Sequence, residues 1–512
     1  MQAIVGTRSG KIEGRVREGV HQFLGIPYAS PPLRELRWQP PVQEEPWEGV
    51  RDATRFGPQS AQGTFRLGEL LGGPQLPISE DSLTLNVFTP KIDESRRPVM
   101  VWIHGGGFTN GTASTSLYDG SRLCTNGDVV VVTLNYRLAS FGFLHLADMF
   151  GSEFEGSGNL GLLDQISALE WVRENIVAFG GDPHNVTIFG QSAGAGSIGI
   201  LLGLPRARGL FSGAILQSGA ASWYHSRAAA TSNTEKIIEA LGVRHGDVEA
   251  LRSKTTQEIL GAQKVLNLDT EVVGLAFTPV LDGTVVARPP LEEISSGNTA
   301  GISLILGTNA DEMTIFNLVD PELGQLDLDE VRRRVNVWTE NHDLARILVN
   351  AYQNQHPGTT TQELWTTIAG DAAFHIPAIR LAEAHLPHGP VWNYVFSWPT
   401  PIFGGSLRST HGLEIPFVWN ALDQPSGEIM TGTDPQRLEV GSVMSQAWIA
   451  FCHQGAPQHP AIPEWPCYDL DNRAALRFDT TCELLVDPHA SARHLWNSAT
   501  GDSHSGPPAT WA

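Results

Sequence analysis

Seven short apolar runs limit what this chain can fold into. They are PVMVWI (98–103), VVVVTLNY (129–136), NVTIF (185–189), GAILQS (213–218), ISLILG (302–307), VWNYVFS (391–397) and AALRF (474–478). Each has the length of one strand, and none approaches the about 20 apolar residues that cross a bilayer. Helical patterns fill the gaps between them. In LLDQISALEWVRENIVAF (162–179), Leu162, Ile166, Leu169, Val172, Ile176 and Phe179 recur at three- and four-residue spacing and predict one apolar helix face. Short runs alternating with helices predict an α/β fold with a mostly parallel sheet. The segments 220–300 and 313–390 lack such runs and are expected to be largely helical, as a pocket wall or lid.

The N-terminal stretch MQAIVGTRSGKIEGRV reads as strand, turn, strand rather than a secretory leader. The tail SATGDSHSGPPATWA (498–512) has the composition of a disordered end, which leaves one domain over 1–497. Lys and Arg number 34 against 55 Asp and Glu, a net charge of −21, which disfavours a nucleic-acid partner. Four scattered cysteines, Cys124, Cys452, Cys467 and Cys482, form no disulfide framework. With no leader visible, a cytoplasmic location is expected, with secretion left open.

One run continues into a cluster of glycines. IFGQSAGAGSIG (188–199) places Ser192 in G-x-S-x-G between a strand and a helix. A phosphate loop would need Gly-Lys-Ser/Thr, which is missing. A strained strand-to-helix turn explains the small flanks, because a side chain at either glycine would collide with backbone. Such a turn holds the serine above the sheet at a helix N-terminus, where negative charge is favoured. A serine nucleophile then needs a histidine base and a carboxylate, in chain order Ser, acid, His, each after a strand. ISLILG runs into TNADEM, which offers Asp311 or Glu312. The loop after VWNYVFS leads to STHGLEIPFVW, which offers His411. His375, His385, His388 and His453 have weaker settings. PVMVWI ends in His104-Gly105-Gly106-Gly107-Phe108, a glycine run whose N–H groups could hold an oxyanion, with Ala193 N–H as a further donor. Cys452, His453 and His459 match no zinc spacing, so no metal and no cofactor are expected.

Read together, FLGIPYASPP (23–32), EDSLTLNVFTP (80–90), HGGGF (104–108), GNLGLLDQ (158–165), FGGDPHNVTIFGQSAG (179–194), GTNADE (307–312), HGLEIPFVW (411–419) and WPCYD (465–469) resemble the type-B carboxylesterases. That family, of cholinesterases and para-nitrobenzyl esterases, has the α/β-hydrolase fold. The resemblance covers nearly the whole chain. It implies a serine carboxylesterase with Ser192 as nucleophile, Glu312 rather than Asp311 as acid, and His411 as base. It implies Gly106, Gly107 and Ala193 as oxyanion donors, and Ser218 as support behind the triad. An amidase or carbamate hydrolase would use the same machinery. A non-catalytic adhesion module of the neuroligin type would typically lose it.

The chain departs from the family in four places. Ser82 replaces a cysteine that is often paired in secreted members, Met313 follows the acid where glycine is usual, Gln191 replaces a glutamate in the elbow, and Ala195 replaces a glycine. Phe108, Leu275, Phe316, Trp398, Phe403 and Leu407 lie near the catalytic loops in sequence and are the expected pocket wall. The expected partner is a small-molecule ester, with the chain a monomer or homodimer and no membrane span.

Overall fold

In the computed structural model of the protein, residues 2–63, 76–266 and 275–500 are described. Twelve strands follow one another across the main sheet: β1 (Gln2–Gly6), β2 (Lys11–Arg17), β3 (Val20–Pro27), β4 (Thr84–Thr89), β5 (Arg97–Ile103), β6 (Val130–Leu134), β7 (Gly181–Gln191), β8 (Gly213–Gln217), β9 (Ser303–Asn309), β10 (Val391–Phe396), β11 (Ala474–Phe478) and β12 (Glu483–Val486). Their spatial order is β1-β2-β3-β4-β6-β5-β7-β8-β9-β10-β11-β12, and Val50–Asp52 adds a short strand on β2. Pairing is parallel from β6 through β5 to β11 and antiparallel at both margins. All seven apolar runs form strands in the parallel part.

Strand periodicity divides these runs between two cores. On β5, Val99, Val101 and Ile103 face one side, while Met100 and Trp102 face the other. Alternate side chains point to opposite faces, and every residue of β5 is buried, so both faces need a cover. The first face is covered by α1 (Leu160–Asn175) and α2 (Ala193–Gly203), and by helices of the two long segments. These include α3 (Arg227–Ala240), α4 (Leu328–Thr339), α5 (His342–Gln355), α6 (Thr361–Gly370) and α7 (Ile376–His385). The second face is covered by Ile415–Val418 and by α8 (Gln436–Gln454). The last helix, α9 (Ala490–Thr500), carries the chain past the expected tail boundary at 498, and residues 501–512 lie outside the described set.

The helix expected over 162–179 differs from its periodic pattern. The α-helix ends at Asn175 and a 3-10 turn continues to Phe179. Burial also extends beyond one face, to Leu163, Asp164 and Gln165. The reason is polar: Asp164 accepts from Arg137 N (3.0 Å), Nε (2.8 Å) and Nη2 (2.6 Å), and Gln165 donates to Ser197 Oγ (3.1 Å). Among the described residues, no helix is long and apolar enough to cross a membrane.

Candidate active site

Strand register gathers the site. Gly190 on β7 pairs with Ile103 on β5, Gln191 with Gln217 on β8, and Gln217 with Gly307 on β9. The carboxyl ends of these parallel strands therefore lie side by side, the usual place for a ligand site in an open sheet. The chain leaves β5 as the glycine run, β7 as the elbow, β9 toward Glu312, and β10 toward His411.

Ser192 sits between β7 and α2 at φ 57°, ψ −126°, a conformation that costs an L-residue energy and lifts its side chain off the sheet. The two flanking glycines are required there. A Cβ on Gly190 would lie 2.7 Å from Ile103 O, and one on Gly194 would run into the same carbonyl. Ser192 N donates to Gln217 O at 2.9 Å, which ties the elbow to β8. Across from it, Gly106 adopts φ 111° and its Cα faces Asn110 O too closely for any side chain. Among the described residues, the N–H groups of Gly106, Gly107 and Ala193 have no acceptor. His104 anchors the start of this run. Its ring stacks on Tyr136 at 4.5 Å, its Nδ1 donates to Gly105 O, and Tyr136 OH donates to His104 O.

His411 Nδ1 lies 2.6 Å from Glu312 Oε2. The other carboxylate oxygen accepts from Asn309 N at 2.7 Å, so Glu312, 1% exposed, has both oxygens engaged. Asp311 turns away, accepting from Ser409 N and pairing with Arg408. With Nδ1 donating to Glu312, a neutral His411 carries its lone pair on Nε2. Gln191 Nε2 stands 3.0 Å from that atom. Ser192 Oγ makes no hydrogen bond among the described residues; in unliganded sites such bonds often close only around substrate.

Behind the pair lies a buried polar network that the sequence reading missed. Asn309 Nδ2 donates to Glu414 Oε2 (2.7 Å) and to Thr410 O (2.6 Å). Gln217 Nε2 donates to Glu414 Oε1 (3.1 Å), and Trp448 Nε1 donates to Gln217 Oε1 (3.1 Å). Burial, and then the nearby Glu312 charge, raise the Glu414 carboxyl above the usual range. The signal was present: a glutamate inside the apolar run LEIPFVW needs buried partners. Ser218 is buried at φ 52° and its N–H donates to Gly307 O, but its hydroxyl has no partner among the described residues. Glu312 is thus held by the Asn309 backbone N–H, while the Asn309 side chain ties Thr410, the neighbour of His411, to Glu414.

Of the expected pocket wall, Leu275 and Phe316 reach the site. Leu275 Cδ2 lies 3.4 Å from the position of a Cβ on Gly107, and the Phe316 ring is 5.2 Å from His411. Phe108 instead packs in the first core, edge-on to Phe143 at 5.2 Å. Trp398 belongs to the core across the sheet, against Phe417 at 5.1 Å. Leu407 is buried, with its carbonyl accepting from Thr314 Oγ1, and Phe403 is exposed. Nearness in sequence does not fix which way a loop side chain turns. Phe374, 4.8 Å from His411, and Trp223, 5.5 Å from Phe374, complete an aromatic wall without any local sequence signal.

The metal candidates Cys452, His453 and His459 do not converge. Cys452 is buried in the second core, His453 bonds Gly127 O, and His459 bonds Val443 O. All four cysteines are free. Asp371, His375 and His489 do approach one another, with ligand atoms within 4.8 Å. Both ring nitrogens of His375 are already hydrogen-bonded, to Asp371 Oδ1 and to Asn309 O, so a metal at His375 would have to displace one of those bonds.

The sequence profile of the carboxylesterase family matches residues 1–495. The para-nitrobenzyl esterase of Bacillus subtilis is 38% identical, over 98% of this chain and 99% of its own. The phenmedipham hydrolase of Pseudarthrobacter oxydans is 37% identical, over 96% of this chain and 99% of its own. Among solved structures, the carboxylesterase EST55 of Geobacillus stearothermophilus superposes with a TM-score of 0.88 at 40% identity, covering 96% of this chain and 99% of that one. With the sheet, the elbow and this similarity along its whole length, the chain belongs to the carboxylesterase family: it is a carboxylic ester hydrolase with the α/β-hydrolase fold.

Proposed function

We propose that the protein cleaves carboxylic esters through an acyl-enzyme on Ser192, with His411 as base and Glu312 as the acid that orients it. The observation that carries this reading is the 2.6 Å contact of His411 Nδ1 with Glu312, beside an elbow whose serine points off the sheet. Ser192 Oγ attacks the ester carbonyl while His411 Nε2 takes its proton. The resulting oxyanion is held by the N–H groups of Gly106, Gly107 and Ala193, each donor lowering the barrier by roughly 3–4 kcal/mol. His411 then protonates the leaving alcohol. Water, deprotonated by the same nitrogen, releases the acid and restores Ser192.

Phe316, Phe374, Trp223 and Leu275 give the site an apolar wall, which suits aromatic or medium-length acyl and alcohol groups. The name of the Bacillus subtilis relative makes a para-nitrobenzyl ester a fitting probe beside para-nitrophenyl butyrate. Ser192→Ala is expected to lower kcat on either ester at least a thousandfold and to abolish fluorophosphonate labelling. Turnover close to wild type in that variant rejects the assignment.

A further inference from the structure

A second histidine–carboxylate pair lies behind the first. His375 ends a π-helical turn, Asp371–His375, between α6 and α7. Its Nδ1 is 2.8 Å from Asp371 Oδ1 and its Nε2 is 3.0 Å from Asn309 O. Asp371 Oδ2 accepts from Tyr352 OH at 2.7 Å, and Tyr352 OH accepts from Trp496 Nε1 at 2.9 Å. The Trp496 bond fixes the direction of the Tyr352 proton toward Asp371. The carboxylate therefore receives two donors, and His375 directs a nitrogen at each of two acceptors. That is the pattern of an imidazolium beside an ionised carboxylate.

The pair touches the candidate triad through one residue. Asn309 gives its carbonyl to His375, its backbone N–H to Glu312 and its side-chain amide to Glu414. Three acidic side chains, Asp371, Glu312 and Glu414, thus lie buried around Asn309 and His375. Buried carboxylates need compensating positive charge or hydrogen bonds to stay ionised. We propose that His375 is a positioning residue held as a buried cation, which offsets the carboxylates behind His411 and sets the pH at which the triad works.

Other groups facing His375 are consistent with a cation there. Burial opposes its charge, but the bond to Asp371 and the charges of Asp371 and Glu312 outweigh it and hold His375 above the usual histidine range. The His489 ring stacks on it at 4.3 Å and is pushed down to about 3 by burial and then by the His375 charge, so the two rings do not share the proton. Tyr352 faces Asp371 from α5. A cavity of about 30 Å³ borders the pair, lined in part by Asp487, His489, Arg473, Tyr394 and Tyr468. Asp487 is the further carboxylate there, and Arg473 is paired with Glu383.

The inference rests on Glu312 and His411 being the acid and base of the triad. Removing the His375 charge favours a proton on His411 and also favours one on Glu312. Either change removes the working base, so both move the acid limb of kcat/KM the same way. His375→Gln is neutral and keeps polar atoms at both ends. Its acid limb on para-nitrophenyl butyrate is expected to rise by about half a pH unit to one unit, with Ser192 still labelled by a fluorophosphonate at pH 8. A purely structural role would lower kcat or Tm and leave the limb in place, and that result overturns the proposal. In the wild-type enzyme, 15N chemical shifts of labelled histidine should show His375 doubly protonated at pH 8. A neutral ring there overturns it even where the variant fails to fold. His411→Ala separates the two readings: retained activity removes the triad assignment, whereas an unmoved limb with an intact triad removes only the role of His375.

Discussion

Gln191 sets a condition on the first step of the proposed reaction. Its amide donates toward His411 Nε2 at 3.0 Å, and in the proposed mechanism this is the lone pair that takes the Ser192 proton. A neutral hydrogen bond contributes about 1 kcal/mol net, a factor of about five in an equilibrium. Ser192 must displace the amide before it can attack. Gln191→Ala is therefore expected to raise the rate of fluorophosphonate labelling about fivefold at pH 8. Slower labelling would mean that the amide steers the ring toward Ser192 instead of competing with it. The sequence marks Gln191 as an odd residue in the elbow. It does not show where the side chain goes, because the partner lies 220 positions away.

Elements are held in place by a few buried polar ties, and the tie between β6 and α1 is the clearest. Arg137, just beyond β6, and Asp164, on the second turn of α1, are 4% and 0% exposed at their side chains. Three donors of Arg137 reach the one carboxylate, and its Nη1 reaches Gln39 O. Removing one member leaves a buried charge without its partner, at a cost of about 3–5 kcal/mol. Asp164→Asn should lower stability by that amount in urea denaturation at pH 7, and a loss below 1 kcal/mol would mean that water replaces the carboxylate. At this scale the chain was legible where the pattern is local. All seven strands of the parallel region were readable from their apolar runs, as were the glycine elbow after β7 and the acidic pair Asp311-Glu312 just beyond β9. The polar ties were not. Arg137–Asp164, Asn309–Glu414 and Asp371–His375–Asn309 depend on which loops the sheet brings together, and neither periodicity nor spacing carries that. Trp398 illustrates the same limit: its position in the chain is near His411, while strand alternation from β10 delivers it to the opposite core.

For the whole molecule, burial of neutral histidines makes folding depend on pH. His104 and His385 are enclosed, and burial pushes both down to about 4. Their hydrogen bonds fit the neutral ring. His385 Nε2 donates to Ile302 O while its Nδ1 accepts from Thr299 Oγ1, and His104 Nδ1 donates to Gly105 O. In the unfolded chain each takes a proton near pH 6.5, and in the folded chain only near pH 4. Between those values the unfolded state binds more protons, so stability rises with pH and falls on acidification, by up to about 1.4 kcal/mol per pH unit for each histidine. The raised His375 works the other way, because above about pH 5.5 its unfolded form is still taking up a proton that the folded form already holds, and it offsets a small part of the loss. Asp148, held down to about 2 by Arg227, loses its contribution only at lower pH. His104 and His385 together should therefore remove roughly 3–4 kcal/mol between pH 7 and pH 5, and His489, pushed down to about 3 by burial and then by the His375 charge, adds to the same loss. The urea midpoint should drop accordingly, and an unchanged midpoint rejects the account. His385→Gln keeps a donor and an acceptor but cannot be protonated. In that variant the loss between pH 7 and pH 5 should be smaller than in the wild type by roughly 2 kcal/mol, whatever the variant costs at pH 7, because His385 no longer draws a proton into the unfolded state.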